Sequence, residues 1–505
     1  MSDPDEVLNT TTSAVSPIGA FHYASEPLYG YYDSADPFVL ARHVEEFVMA
    51  GVDYLVFDTT NASTYNSVVT SLCDVFLTFQ KQGWKVPRIA FYTNSASAAT
   101  IDIIYNTIYA QNRYSSLWYM VDGKPLIIGV SGDLSDTQYN LYTNFFYFKE
   151  SQWPDKRQDY SDGFPWMDWS YPQSNFKGTV SVSVAQGPGY NMADPTTALG
   201  RGYSFKTATN DSNRMLEGSN FEEEWETAIN GSTDKGSKVE VKNAFVTGWN
   251  EWMAIKQNHD GTVVYCDDYN REFSRDIEME NGPLGDNFYL QLFRNMRSFK
   301  YEEPVHYNYD THTIDFGSAS SWDDVSSVYL DLEGEAMKRD HRTCVASSSD
   351  KYTDDSARND IASTSITHDS TNLYVKVTTK DNLTTPEDAD TGWMNLLINA
   401  FSQNDPTFAN NFNFRVNASR DNKGNCSIEK STGGYVFENV GTGKYSYEGK
   451  TLQISIPLSV LGKTETECHL GVKVTDHITK PSDIMDYYVS GDSAPIGRLA
   501  YEYGY

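Results

Sequence analysis

Glu251 stands between an amide and two indoles in Val246-Thr-Gly-Trp-Asn-Glu-Trp-Met253, directly after an apolar run that begins at Ala244. A carboxylate beside aromatic surface is poorly solvated, so it either pairs with a cation or keeps its proton to higher pH than usual. The second outcome suits a general acid. Asp58 closes another apolar run, Tyr54-Leu-Val-Phe-Asp58, and is the preferred second carboxylate, ahead of Asp168, Asp267 and Glu272. Two such groups flanking one bond, one to protonate the leaving oxygen and one to attack or activate water, are what glycoside hydrolysis requires. The competing reading pairs Glu251 with an arginine and leaves it holding loops together.

Polar and aromatic residues that would line a sugar site fall at similar places. Asn61 follows Asp58, Asn94 follows Arg88-Ile-Ala-Phe-Tyr92, and Gln186 follows Val180 to Val184. Asp168 and Trp169 lie in an aromatic segment, Trp249, Asn250 and Trp252 flank Glu251, and His22, Glu26 and Tyr29 belong to a Tyr-rich loop. His22 reads equally well as a buried, satisfied histidine. The stretch from Tyr265 to Glu278 is dense in charge, and its Asp267, Glu272, Arg275 and Asp276 read as a structural ion network more readily than as a lid, because mixed charges at such density satisfy one another. Asp267, Asp268 and Asp276 suit calcium better than a catalytic metal. The hydrolytic chemistry calls for no cofactor and no metal.

These residues need elements that bring them to one place. Helical patterns at Phe38 to Ala50, Asn66 to Gln82, Ile101 to Ala110 and Phe221 to Ile229 alternate with strand-like runs at 54–58, 88–92, 124–129, 145–148, 180–184 and 244–247. Strands alternating with helices make parallel βα units, and seven or eight of them make a (β/α)8 TIM-type barrel, whose chemistry gathers at the carboxyl ends of the strands. Ile18 to Tyr23 is the candidate first strand, atypical or missing. After Tyr301 the pattern changes to alternation with period two, as in Asn372 to Thr378 and Leu452 to Ile456, and only Trp322 and Trp393 of the ten tryptophans remain. This predicts an antiparallel β-sandwich, dividing the chain into a catalytic domain over 1–302 and a second domain over 303–505.

Composition narrows the partner. A formal charge of -30 over 505 residues repels nucleic acids and anionic bilayers. No apolar run is long enough to cross a membrane, and 35 Tyr with 10 Trp supply flat surfaces for sugar faces. The five cysteines are far apart and without zinc spacing. A nucleophile elbow, a zinc-protease helix and a phosphate-binding loop are all missing from the sequence.

Four segments together carry a resemblance: Gly30-Tyr-Tyr-Asp-Ser34, Gly51-Val-Asp-Tyr-Leu-Val-Phe-Asp58, Asp122-Gly-Lys-Pro-Leu126 and Gly248-Trp-Asn-Glu-Trp252. Over roughly residues 18–300 the chain resembles the glycoside hydrolase family 99-like barrels, with their family 71-like and glycan-biosynthesis relatives. The resemblance implies a retaining or related attack on glycosidic bonds at the barrel mouth, with Glu251 matching the first glutamate of the family's motif. Endo-α-mannosidases of that group carry a second glutamate three residues later, where this chain has Ala254. Their two-glutamate mechanism and mannan specificity therefore do not transfer. Ser321-Trp-Asp-Asp-Val325, Asn359-Asp-Ile361, Asn372-Leu-Tyr-Val375 and the closing Asp486 to Pro495 with Gly497-Arg498 resemble family 9-like carbohydrate-binding modules. Trp393 is that region's candidate sugar platform, against a packing role. The expectation is a secreted or surface glycoside hydrolase of bacterial type, a monomer acting on a polysaccharide or complex glycan. The alternative is a non-catalytic glycan-binding protein with a degenerate barrel.

Overall fold

The computed structural model describes residues 4–155, 160, 162–234, 237–300, 311–345, 348–387 and 389–504. By internal contacts the chain divides into two units, one of residues 1–31, 47–77 and 85–302, the other of residues 32–46, 78–84 and 303–505. The boundary expected between 302 and 303 lies outside the described residues.

In the first unit Tyr54–Thr59, Arg88–Thr93, Lys124–Gly129, Tyr147–Gln152 and Phe164–Pro165 lie side by side in chain order, all parallel. Parallel neighbours cannot be joined by a tight turn, and helices such as Asn66–Lys81, Ser97–Ile104 and Asp136–Phe145 supply the crossovers. Thr179–Ser183 and Asn243–Thr247 form a separate parallel pair with Val182 opposite Val246. Strands covered on both faces read as continuous apolar runs, and Ile89, Ala90, Phe91 and Tyr92 are all fully buried. Phe245 joins the two groups of strands, packing in one cluster with Tyr92, Phe164 and Trp166, its ring 5.0 Å from that of Phe164. Helix Ser219–Asn230 turns Phe221, Trp225 and Ala228, spaced at i, i+4 and i+7, onto Val180, Val182 and Val184.

Three expectations need correction. The candidate first strand is not parallel: Phe21–Tyr23 pairs antiparallel with Met253–Ile255, so His22 lies opposite Ala254. A three-residue apolar stretch carries no signal of direction, and the backbone bonds between Gly19, Ala20 and Lys256 fix it here. The described residues thus give five and two parallel strands in separate hydrogen-bonded groups, without the full (β/α)8 closure. The strand placed at 145–148 starts at Tyr147, because helix Asp136–Phe145, capped by Ser135 and Gln138 in a reciprocal box, runs up to it. The helix placed at 101–110 begins at Ser97 and ends in a π-helical turn over Tyr105–Tyr109.

The second unit is dominated by an eleven-stranded sheet whose neighbours pair antiparallel. Leu373, Val375 and Val377 alternate inward from Asn372–Thr379, as do Leu452, Ile454 and Ile456 from Thr451–Pro457. They share one core with Leu396, Ile398, Val472 and Val474 from strands further along the order. Trp393 is 0% exposed, and its indole N–H donates to the carbonyl and hydroxyl of Thr384 at 3.0 and 3.1 Å. Trp322 is also buried and donates to Gln453. Trp322 and Trp393, the two tryptophans after residue 301, are packing residues, and neither presents an open face to a sugar. Among the described residues no helix is long and apolar enough to cross a membrane.

Truncating a buried indole leaves a cavity and unpaired polar groups. Trp393→Ala is expected to destabilise the second unit by about 3–5 kcal/mol in chemical denaturation. A loss under about 1 kcal/mol would show that Trp393 does not carry this packing.

Candidate functional site

The site begins where strand Asn243–Thr247 ends. Gly248 has φ +100°, and a Cβ there would lie 2.4 Å from the Arg275 carbonyl oxygen, so only glycine lets the chain turn this close to Arg275. Trp249 then packs inward, its ring 4.5 Å from Phe47 and 6.4 Å from Tyr289. Trp252 is buried and its indole N–H donates to Glu278 at 2.5 Å. With both indoles anchored, the two residues between them are left on the open side: Asn250 is exposed and the Glu251 side chain is 45% exposed. The indoles beside Glu251 in sequence therefore have their own packing duties.

What surrounds Glu251 is charge. Arg275, 6% exposed, reaches the Glu251 carboxylate at 3.4 Å and pairs more closely with Asp267. Its other terminal nitrogen faces the Met167 sulfur. Burial alone would weaken the guanidinium's hold on its proton, but Asp267 and Glu251 outweigh that and strengthen it. The Glu251 pKa is pushed well up, first by desolvation and then by the negative charge of Asp267, with Arg275 opposing and Asp58 adding to the rise. The side that faces solvent moderates the penalty of desolvation. Asp58 is shifted the same way by burial, against two hydrogen bonds from Thr60, whose amide and hydroxyl donate to one carboxylate oxygen at 2.9 and 2.7 Å. Asp267 raises it further and Arg275 lowers it. Glu251 and Asp267 thus share one arginine, and Asp58, near the end of strand Tyr54–Thr59, lies in electrostatic reach of all three, so the preferred pair, Glu251 and Asp58, belongs to one charged group.

The remaining predicted residues divide. Asn94 accepts a hydrogen bond from Ser151 at 2.9 Å and is half-buried at the end of Arg88–Thr93. Gln186 is fully buried and donates to Glu224, which is itself buried. Asp168 is committed to its own loop, accepting from the Ser170 amide and the Ser174 amide at 2.9 and 2.8 Å. Trp169 is half-buried, edge-on to Tyr190 at 5.1 Å, with no partner for its indole N–H. Asn61 is exposed and bonds only locally, to Tyr65 and Ser63. His22 donates to the Tyr269 carbonyl and packs against Tyr265, which makes it the satisfied histidine of the two readings. Tyr29 is buried, and Glu26 accepts a 3.2 Å hydrogen bond from Asn281.

Sequence reasoning underrated the segment 265–278. Its Arg271 and Asp276 do belong to a structural network: Arg201 donates to the Asp276 carbonyl at 2.7 Å, and Arg271 pairs with Glu280 just beyond the segment. Asp267 and Arg275, however, are part of the cluster around Glu251. The sequence signal for this was Arg275 itself, one of two arginines among the acids of the segment. Glu224 was missed outright; it sits on a helix whose apolar spacing gives no reason to single it out.

No family model matches the chain, and no curated protein matches it in sequence. Among solved structures, a glycoside hydrolase-like protein is 14% identical at a TM-score of 0.31, the likeness covering 55% of this chain and 90% of that one. The GH99 endo-α-mannosidase from Bacteroides thetaiotaomicron is 16% identical at a TM-score of 0.32, covering 55% of this chain and 83% of that one. The same enzyme in complex with bis-tris-propane gives 16%, 0.34, 55% and 89%. The functional reading therefore rests on the residues of the site itself.

Burial holds the Asp276 carboxyl at a pKa of about 7, against the opposing pull of Arg201. Between the ordinary carboxylate range and pH 7 the folded protein then binds more protons than the unfolded chain, so stability falls as pH rises through that window and levels off above it. Asp276→Asn removes this contribution. Its unfolding free energy is expected to decline less than the parent's from pH 4 to pH 7 in denaturant titrations. An unchanged decline would mean that Asp276 ionises freely.

Proposed function

We propose that the first unit is a glycoside hydrolase site in which Glu251 is the acid/base and Asp58 the second carboxylate. The observation that carries this reading is the pairing of Glu251 and Asp267 with the single guanidinium of Arg275, with Asp58 in electrostatic reach of all three. Like charges gathered around one cation oppose one another's ionisation, which favours the protonated form of Glu251 that a proton donor to a glycosidic oxygen needs. Its partial exposure leaves the carboxyl within reach of a substrate. Asp58 is oriented by Thr60 to attack the anomeric carbon or to activate water. Arg275 pairs with Asp267 and steadies the charge that shifts between the other two. The substrate class is a neutral or weakly charged polysaccharide or complex glycan, in keeping with the net charge of -30.

A second reading, glycan binding without cleavage, is favoured by one observation. Ala254 is buried within the strand Met253–Ile255, so this segment supplies no second acid. The two readings part on activity. Against a panel of polysaccharides and aryl glycosides, the parent is expected to release sugar, and Glu251→Gln and Asp58→Asn to lower kcat by about 10²–10⁴-fold. Binding without release by the parent supports the second reading. Full activity in Glu251→Gln removes the acid/base assignment.

A further inference from the structure

The second unit contains acids that the site chemistry leaves unused. Asp331 follows strand Val328–Leu330, Glu335 follows the turn at Gly334, and Asp492 opens strand Asp492–Ala494. One carboxylate oxygen from each lies within 4.8 Å of the others. Their exposures are 3%, 0% and 1%. Glu45, on helix Pro37–Ala50, is equally buried beside them. We propose that Asp331, Glu335 and Asp492 form a closed calcium site, with Glu45 as a fourth acidic neighbour.

The first argument is unsatisfied hydrogen bonding. Both oxygens of Glu335 and of Glu45 lack a hydrogen-bond donor among the described residues, Asp331 faces only the Leu332 amide, and one oxygen of Asp492 has no donor while the other accepts from the Ile361 amide. A buried carboxylate without donors is among the most costly arrangements a protein can adopt, and this unit would place several together. The second argument is charge. Four carboxylates face two cations. Arg42 lies 3.8 Å from Glu45 and donates to the Gly491 carbonyl at 3.2 Å, while the buried Lys473 ammonium is bonded to Ser493 and the Pro495 carbonyl. Two negative charges remain uncompensated, and Glu46, next on the helix, adds another acid. Asp360 does not change the sum, since Lys380 pairs with it at 3.4 Å.

The third argument is size and donor type. Ligand oxygens at 2.3–2.6 Å from a calcium ion lie up to about 5 Å apart across it, which fits the observed limit of 4.8 Å. The donor set holds oxygen alone, without thiolate or imidazole, which disfavours zinc and other softer ions. Magnesium gives up its water reluctantly, and a fully buried site suits calcium better. The acidic cluster of the first unit differs on the decisive point, because Arg275 and Arg201 already stand against its carboxylates.

The test uses the full chain purified without chelator. Elemental analysis is expected to find about one calcium per chain. Removing it with EGTA is expected to lower the Tm of the second unit's transition by about 5–10 °C relative to calcium at a hundredfold excess over its Kd. Calcium, and not magnesium at equal concentration, is expected to restore it. Glu335→Gln and Asp331→Asn keep side-chain shape while removing charge, and are expected to lose the calcium and become indifferent to EGTA. A parent that holds no calcium and melts identically in EGTA and in calcium overturns the proposal, and the acids then share protons instead. Stoichiometric calcium retained in both variants also overturns it, because the ion would lie elsewhere. Should the variants fail to fold, the parent's calcium content and melting still decide.

Discussion

The Arg275 guanidinium is a buried cation in a chain with 69 acidic and 39 basic side chains, and the first unit's site is arranged around how that one charge is shared. Its backbone meets the turn at Gly248 so closely that a side chain there has no room. This contact sets where strand Asn243–Thr247 stops and therefore where Glu251 emerges. One terminal nitrogen of its side chain meets both Asp267 and Glu251. Each acid takes part of the compensation that the others lose, which is why the acidity of Glu251 and Asp58 depends on Asp267 as well as on burial. Such a shared cation makes the group sensitive to any change in one member.

Much of the first unit was legible because parallel strands buried on both faces leave continuous apolar runs. The runs ending at Asp58, Tyr92 and Gly129 are strands within a residue of where the pattern puts them. Direction and pairing were not legible. Phe21–Tyr23 carries the same kind of signal as a barrel strand, yet it runs antiparallel beside Met253–Ile255, a partner more than two hundred residues away. The helix Asp136–Phe145 has a mean hydropathy near zero and hid from an apolar count, although Ser135 and Gln138 announce its start. In the second unit period-two alternation identified the strands, but strand order depends on side-chain packing that no local pattern records.

The site was legible in part for the same reason. Strand ends located Asp58, Asn94 and Glu251, since each follows an apolar run. Asp168 and Asn61 occupy similar positions in the sequence but are used by their own loops, because aspartate and asparagine cap turns as readily as they bind ligands. The neighbours of Glu251 in sequence proved a poor guide to its neighbours in space. Trp249 and Trp252 point into the core, and the residues that set its acidity come from 16 and 24 positions later in the chain.

The position of Ala254 bears on how such a site can work. It lies in a strand pair opposite His22 and packs into an apolar cluster with Ala185, Met192, Val263, Tyr265 and Tyr269. A glutamate there would have to bury its charge among methyl groups and ring faces, with the nearest backbone donors already engaged in the strand. The local structure after Trp252 is thus built for an apolar side chain, and a second acid at that spacing would work against it. Any two-carboxylate chemistry in this chain must draw its second group from a different element, and Asp58, in strand Tyr54–Thr59, is one of the acids within electrostatic reach of Glu251, with Asp267 and Asp276.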